Sequence, residues 1–190
     1  MKLLSIYNKF LARHPFLGTC LTSAFGMGAG NLLCQIIMYP MTEKFDPLLF
    51  VTYALFGLLV SGPFVKVWWD ALEFKIFKNP KQFLRPIKMM LLDQSTSPFI
   101  LNGSFLYILA LYGGKSHSEA VDDALNRCIP VCLESYKVWP IIMILNFYII
   151  PPNNRFVVSD RVLFTNSISI LWTTYFTYMS VLFVVFSDKI

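Results

Sequence analysis

Four stretches of the chain contain no Asp, Glu, Lys or Arg: residues 14 to 42, 47 to 65, 94 to 114 and 162 to 187. Their apolar residues run on without the period-two alternation of barrel strands, and a bilayer needs roughly 20 apolar residues per helical span. Inside lipid each backbone N–H and C=O must also find a partner within its own segment unless a barrel closes. The pattern predicts an all-α fold: a polytopic integral membrane helical bundle of four to five spans, with residues 1–190 as one membrane-embedded domain. The span count turns on the segment from Cys128 to Ile150. Val138 to Ile150 is thirteen residues, short for a span, whereas including Glu134 and Lys137 makes a full crossing, bracketed by Trp139-Pro140 and Pro151-Pro152.

The start of the chain reads differently. At helical spacing Leu3, Leu4, Tyr7, Phe10, Leu11 and His14 form one face and Lys2, Lys9 and Arg13 the other, with no acidic residue before Glu43. This is an amphipathic N-terminal helix, either interfacial and leading into span one or an uncleaved organelle-targeting element. It has neither the long apolar core nor the small-residue cleavage site of a secretory signal.

Composition sharpens the picture, because 56% hydrophobic and 14% charged residues in 190 leave little for an extramembrane domain. A net charge of +5 raises the question of nucleic acid, but the basic residues sit in connections. The chain start, the 70 to 88 connection (Lys75, Lys78, Lys81, Arg85 and Lys88 against Asp70 and Glu73) and the 151 to 161 segment (Arg155 and Arg161 against Asp160) are net positive. The 43 to 46 turn and the 113 to 127 loop between them are net negative. Alternation of this kind sets membrane orientation, with the N-terminus and the 70 to 88 connection on one face.

Within the spans, Gly18, Thr22, Gly26 and Gly30 recur every fourth residue, and small residues on one stripe let helix backbones approach closely in lipid. Gly57 and Gly62 add packing positions in span two, where Gly62-Pro63 predicts a kink. Trp68, Trp69 and Trp139 lie near the expected interfaces, where indoles anchor at headgroup depth.

Ionisable residues inside or beside the spans carry the functional expectation, since each is costly in lipid unless paired or facing water: Lys66, Asp93, Glu134 and Lys137. Asp93 shares a helical face with Ser97 and Ser104, with Gln94 adjacent, and Thr165, Ser169, Thr173 and Thr177 repeat every fourth residue in the last span. Two such stripes facing each other would line a passage. The alternative is structural: Lys66 paired with Asp93, Glu134 with Lys137, and hydroxyls bonding carbonyls or joining helices. Catalytic, metal and cofactor signatures are missing. There are two histidines, His14 and His117, and the four cysteines contain no CxxC pair, so no metal or cofactor is expected. No GxSxG, GxxxxGK or dinucleotide loop occurs, and Asn102-Gly103-Ser104, a glycosylation acceptor by letters, sits inside a span.

Taken in order, His14-Pro15, Gly30 with Gln35, Gly57 with Gly62-Pro63 and Trp68-Trp69, Asp93-Gln94 with Pro98, Trp139-Pro140, Asn146-Phe147 with Pro151 and Arg155, and finally Trp172 and Tyr175 form a recurring arrangement. It resembles the Mpv/PMP family, small peroxisomal membrane proteins and their mitochondrial inner-membrane relatives, over nearly the whole chain. The chain departs from that pattern at Asn31, where the family usually has Asp, at Lys66, where it has His, and at Trp69, where it has Tyr. The resemblance implies a protein of the mitochondrial inner or peroxisomal membrane that supports organelle homeostasis, with no enzyme activity.

Two roles follow as expectations. One is a weakly selective small-solute channel lined by Lys66, Asp93, Ser97 and the Thr165 to Thr177 ladder. The other is a non-conducting scaffold or assembly factor supporting mitochondrial DNA maintenance, nucleotide supply or translation through the basic 70 to 88 connection. The partners implied are the bilayer, a second copy of the chain, and mitochondrial ribosome or nucleoid components, with no direct DNA binding.

Overall fold

In a computed structural model, residues 9–10, 13–149 and 164–178 are described. In chain order the helices are α1 (Pro15–Thr42), α2 (Pro47–Phe56), α3 (Gly62–Asp70), α4 (Arg85–Gln94), α5 (Ser97–Tyr112), α6 (His117–Ser135), α7 (Trp139–Ile149) and α8 (164–178). Wide, π-type turns over Gly57–Ser61 and Ala71–Ile76 keep the chain helical from Pro47 to Ile76. The described residues contain no strand. Two compact units divide the chain: Met1–Val67 with Val158–Ile190, and Trp68–Val157.

In the first unit, α1 starts where His14 leaves helical geometry and Pro15 follows, a position where a missing N–H removes no helical bond. It ends at Glu43, left-handed at φ 51°, whose N–H closes on Tyr39 O. Gln35 then clasps the turn. Its Nε2 donates to Asp46 O (2.9 Å) and its Oε1 accepts from Asp46 N–H (2.6 Å), pairing an amide side chain with the backbone much as a strand would. Asp46 in turn caps α2 by accepting from Leu49 N–H (2.9 Å). These contacts give the Gln35 of the family arrangement a structural reason: it sets the reversal between the first two spans.

The expected proline kink at Gly62-Pro63 is taken up upstream. Pro63 has no N–H to give to residue 59, and the backbone widens so that Gly62 N–H bonds Gly57 O, five residues back. Glycines let α1 come close. A Cβ on Gly57 would lie 2.5 Å from Ser23 O, and one on Gly62 would lie 2.5 Å from Cys20 Cα. Gly30 is closed by α8, where Thr173 Cβ would stand 2.6 Å from an added Cβ, and Gly26 faces Asn166 at 3.2 Å. The Gly26 to Gly30 pair therefore packs within the chain. Phe25 on the outer side of α1 is 71% exposed and Leu59 is 66% exposed, an arrangement suited to lipid rather than water as solvent.

In the second unit, the charge-free 94 to 114 stretch is not one helix. Residues 95–96 form a turn between α4 and α5, with Pro98 in the first turn of α5 where it fits best. The 16 residues of α5 rise about 24 Å, short of a hydrocarbon core of about 30 Å. α6 opens on a capping box in which Ser116 N–H and Oγ donate to Glu119 (2.8 and 2.7 Å) and Glu119 N–H returns to Ser116 Oγ. That hydroxyl, then the backbone N–H, hold the Glu119 carboxyl below the usual carboxylate range. Trp139-Pro140 starts α7 after a 60° bend from α6.

Two helical runs, Pro15–Pro40 and Pro47–Ile76, are long and apolar enough to cross a bilayer, and the bent α6–α7 pair makes a third if counted as one broken span. The fourth and fifth crossings expected from sequence rest on the α5 stretch, which is short, and on 162 to 187, of which only 164–178 is described. The amphipathic start, Pro151, Arg155 and the 151 to 161 basic segment lie outside the described residues apart from Lys9, Phe10, Arg13 and His14.

Candidate functional site

The second unit buries a carboxylate. Asp93, at the end of α4, is 2% exposed, and four donors converge on it. Trp68 Nε1 (3.0 Å), Trp69 Nε1 (3.1 Å) and Ser97 Oγ (2.8 Å) donate to Oδ1, and Gln94 Nε2 (2.9 Å) donates to Oδ2. The local sequence dictates this. The 95–96 turn carries the chain round so that Ser97, at the head of α5, reaches back four residues, and adjacent indoles at the end of α3 each offer their single polar atom. These donors are neutral, so they position the carboxylate without cancelling its charge.

The same unit buries polar atoms that have no partner among the described residues. Asn146 on α7 is fully buried, and neither its Nδ2 nor its Oδ1 has a hydrogen bond among the described residues; Gln94 Oε1 is likewise unmet. Each such atom costs roughly 1–3 kcal/mol in a dry interior. Next to Asn146 in sequence, Phe147 sets its ring against the Trp69 indole in an edge-to-face contact at 6.0 Å. Tyr136 Oη donates to Gln94 O (2.9 Å), and Asn102 Nδ2 donates to Ser135 Oγ (3.4 Å), linking the α6 end to α4 and α5.

A buried charge pair lies in the same unit. Arg85 (4% exposed) donates from Nη2 to Glu73 Oε1 (2.6 Å) and Glu73 O (3.3 Å), and from Nε to Phe77 O (2.8 Å). The guanidinium thus terminates the Ala71–Ile76 turn by accepting none and donating to two carbonyls and a carboxylate.

The first unit uses its polar residues otherwise. Thr177 Oγ1 donates to Thr173 O (2.8 Å) and meets Tyr53 Oη (3.0 Å); Thr174 Oγ1 reaches Ile170 O and Gly30 O; Asn166 Nδ2 donates to Ser23 Oγ (3.3 Å). Ser169 Oγ donates to Asn166 O, and Thr165 is buried. Of the hydroxyl ladder of α8, Thr173 packs against Gly30 of α1 and Thr177 meets Tyr53 of α2. Trp172 and Tyr175 stack at 5.6 Å on the same helix. Asn31, fully buried, accepts from Gln35 Nε2 (2.7 Å), with its own Nδ2 unmet.

The sequence-derived candidates fall in both units. Asp93, Gln94 and Ser97 form one cluster, joined in its unit by Asn146 and Phe147, which sequence reading held only as family positions. Lys66 belongs to the first unit. Glu134 and Lys137 form the expected ion pair (2.6 Å), with both side chains about half exposed or more, at the end of α6. Trp68 and Trp69, read as interface anchors, donate to Asp93, and Glu73 and Arg85, read as connection charges, are a buried pair. An indole's need for an acceptor was a signal for the former; nothing in the spacing of 73 and 85 marked the latter. Among the described residues no three His, Cys, Asp or Glu side chains gather as a metal site.

A family model described as the Mpv17 / PMP22 family matches residues 110–177. The chain is similar to PXMP2/4 family protein 2 of Dictyostelium discoideum (26% identical, covering 94% of this chain and 91% of that one) and to Protein SYM1 of Gibberella zeae (27%, 92% and 95%). It is also similar to the mitochondrial inner membrane protein Mpv17 of Caenorhabditis briggsae (29%, 86% and 88%). No solved structure matches it.

Proposed function

The chain belongs to the Mpv17 / PMP22 family, and from that premise we propose that it is a weakly selective channel for small solutes, with the polar interior around Asp93 as its selective element. It is a multi-pass organelle-membrane protein. Its membrane is the mitochondrial inner membrane, as in the relatives named for it, with the peroxisomal membrane as the alternative from its PXMP2/4 relative.

One observation carries the channel reading: a helical unit buries Asp93, Gln94, Ser97 and Asn146 and leaves three of their polar atoms without partners among the described residues. Polar side chains held in a membrane protein at that cost are the mark of a solute or ion path. The Asp93 carboxylate would favour cations, and Ser97 and the two indoles fix where its charge sits. Purified protein in planar bilayers is expected to pass unitary currents. Asp93→Asn keeps an acceptor for Trp68, Trp69 and Ser97 and is expected to lower cation preference; silence across pH and voltage in the wild type removes the proposal.

The α8 seam favours a second reading, because hydroxyls engaged in helix packing do not line a passage. A non-conducting scaffold that assists mitochondrial ribosome or nucleoid components, without touching DNA, fits that seam. Proximity labelling that recovers such components from a chain silent in bilayers is the result that selects it.

A further inference from the structure

We propose that residues 74–84, with Lys88, form a docking site for anionic phospholipid headgroups of the bilayer in which the chain sits. The observation is an ordered loop whose ends are tied together by the buried Arg85–Glu73 pair and the Arg85 bond to Phe77 O. Inside it, Lys81 N–H meets Asn79 Oδ1 (3.0 Å), Gln82 N–H meets Asn79 O and Arg85 N–H meets Gln82 O. A loop closed at its base and turned by its own backbone is preorganised.

What it displays is of two kinds. Lys75, Lys78, Lys81 and Lys88 are exposed, and among the described residues none of the four is in an ion pair. No acidic residue occurs between Glu73 and Asp93, so with Arg85 neutralised by Glu73 the loop is uniformly positive. Phe83 is 80% exposed, beside Leu84, which is 46% exposed and held in the left-handed region at φ 54°. A leucine there is strained, and the strain persists because Arg85, its neighbour, is locked by three bonds.

Depth selects the partner. The helical run Pro47–Ile76 has 30 residues, about 45 Å of rise, which matches the roughly 40–45 Å of a bilayer with its headgroup regions, so the loop begins at headgroup depth. There, ammonium groups meet headgroup phosphates while Phe83 and Leu84 enter the acyl boundary. A soluble nucleic acid would satisfy the lysines and leave that apolar pair in water.

The test is native mass spectrometry on the full chain in mild detergent, titrated with phosphatidylglycerol and with phosphatidylcholine of the same acyl chains. Phosphatidylglycerol is expected to bind more tightly. Replacing Lys75, Lys78, Lys81 and Lys88 together by Gln abolishes the preference, at about fivefold in affinity per lysine, while the four Lys→Arg changes retain it. Phe83→Ser weakens both lipids and leaves their ratio unchanged. Equal binding of the two lipids, a preference surviving in the Gln variant, displacement by inorganic phosphate at equal concentration, or stronger binding of a short RNA overturns the proposal. None of these readings depends on whether the chain conducts.

Discussion

Both units bury hydroxyls and amides among apolar helices, but the fate of the polar atoms differs. In the unit of α1, α2 and α8, Thr19, Thr22 and Thr177 return their hydroxyls to carbonyls four residues back on the same helix, and glycines bring backbones together beneath them. In the unit of α4 to α7, polar groups gather on buried charges, Trp68 on Asp93 and Arg85 on Glu73, or leave both amide atoms without a partner among the described residues, as Asn146 does, whereas Asn31 of the first unit still accepts from Gln35. Local return is the chemistry of packing in lipid. Buried charge and an amide met at neither atom are what a site requires, because a polar group that serves only packing finds a protein partner.

Breaking the buried charge pair is the largest expected effect. Glu73→Ala leaves Arg85 buried and uncompensated and should destabilise by roughly 3–5 kcal/mol in an unfolding titration with a denaturing detergent, while Glu73→Met with Arg85→Met recovers most of that loss. In the packing unit, Gly57→Ala drives a Cβ against Ser23 O and Ala24 Cα and should destabilise by roughly 1–3 kcal/mol. Gly28→Ala meets only the Phe50 ring and Ala54 Cβ and should be mild by the same assay; equal effects at the two glycines would erase the distinction drawn for this unit.

Asn146→Leu sharpens the comparison directly. Replacing two unmet polar atoms by an apolar side chain should hold or raise stability, by up to roughly 1–3 kcal/mol, while reducing bilayer conductance. A loss of stability with conductance unchanged would make Asn146 a packing residue like those of α8. The smallest effect belongs to Tyr53→Phe, which removes the hydroxyl contact to Thr177 and should cost about 0.6 kcal/mol without touching ion selectivity.

Much of this was readable along the chain. Charge-free runs gave the helices, Gly26 and Gly30 gave a close contact, and Glu134 with Lys137 gave an ion pair one turn apart. Asp93, Gln94 and Ser97 were visible as one cluster because four-residue spacing defines a helix face, even though a turn rather than a continuous helix joins them. What escaped depended on the path of the chain. Trp68 and Trp69 lie 25 and 24 residues from Asp93, and Arg85 lies 12 from Glu73, separations that no periodicity encodes. The same holds for α5, where Thr96 and Pro98 look compatible with a long span until the 95–96 turn shortens it.

The widened turn at Gly57–Ser61 settles which residues of the second span share an azimuth. On a regular α-helix, positions five apart point about 140° away from each other, so Gly57 and Gly62 could not both confront a single neighbour. Closing a five-residue ring instead brings them into line, and α1 meets one glycine at Ser23 and the other at Cys20. Excising a single residue such as Leu58 would restore the ordinary pitch and rotate Gly62 away from α1 by about 100°. The extra residue is thus a phase correction, and the close approach of Cys20 to Gly62 depends on it.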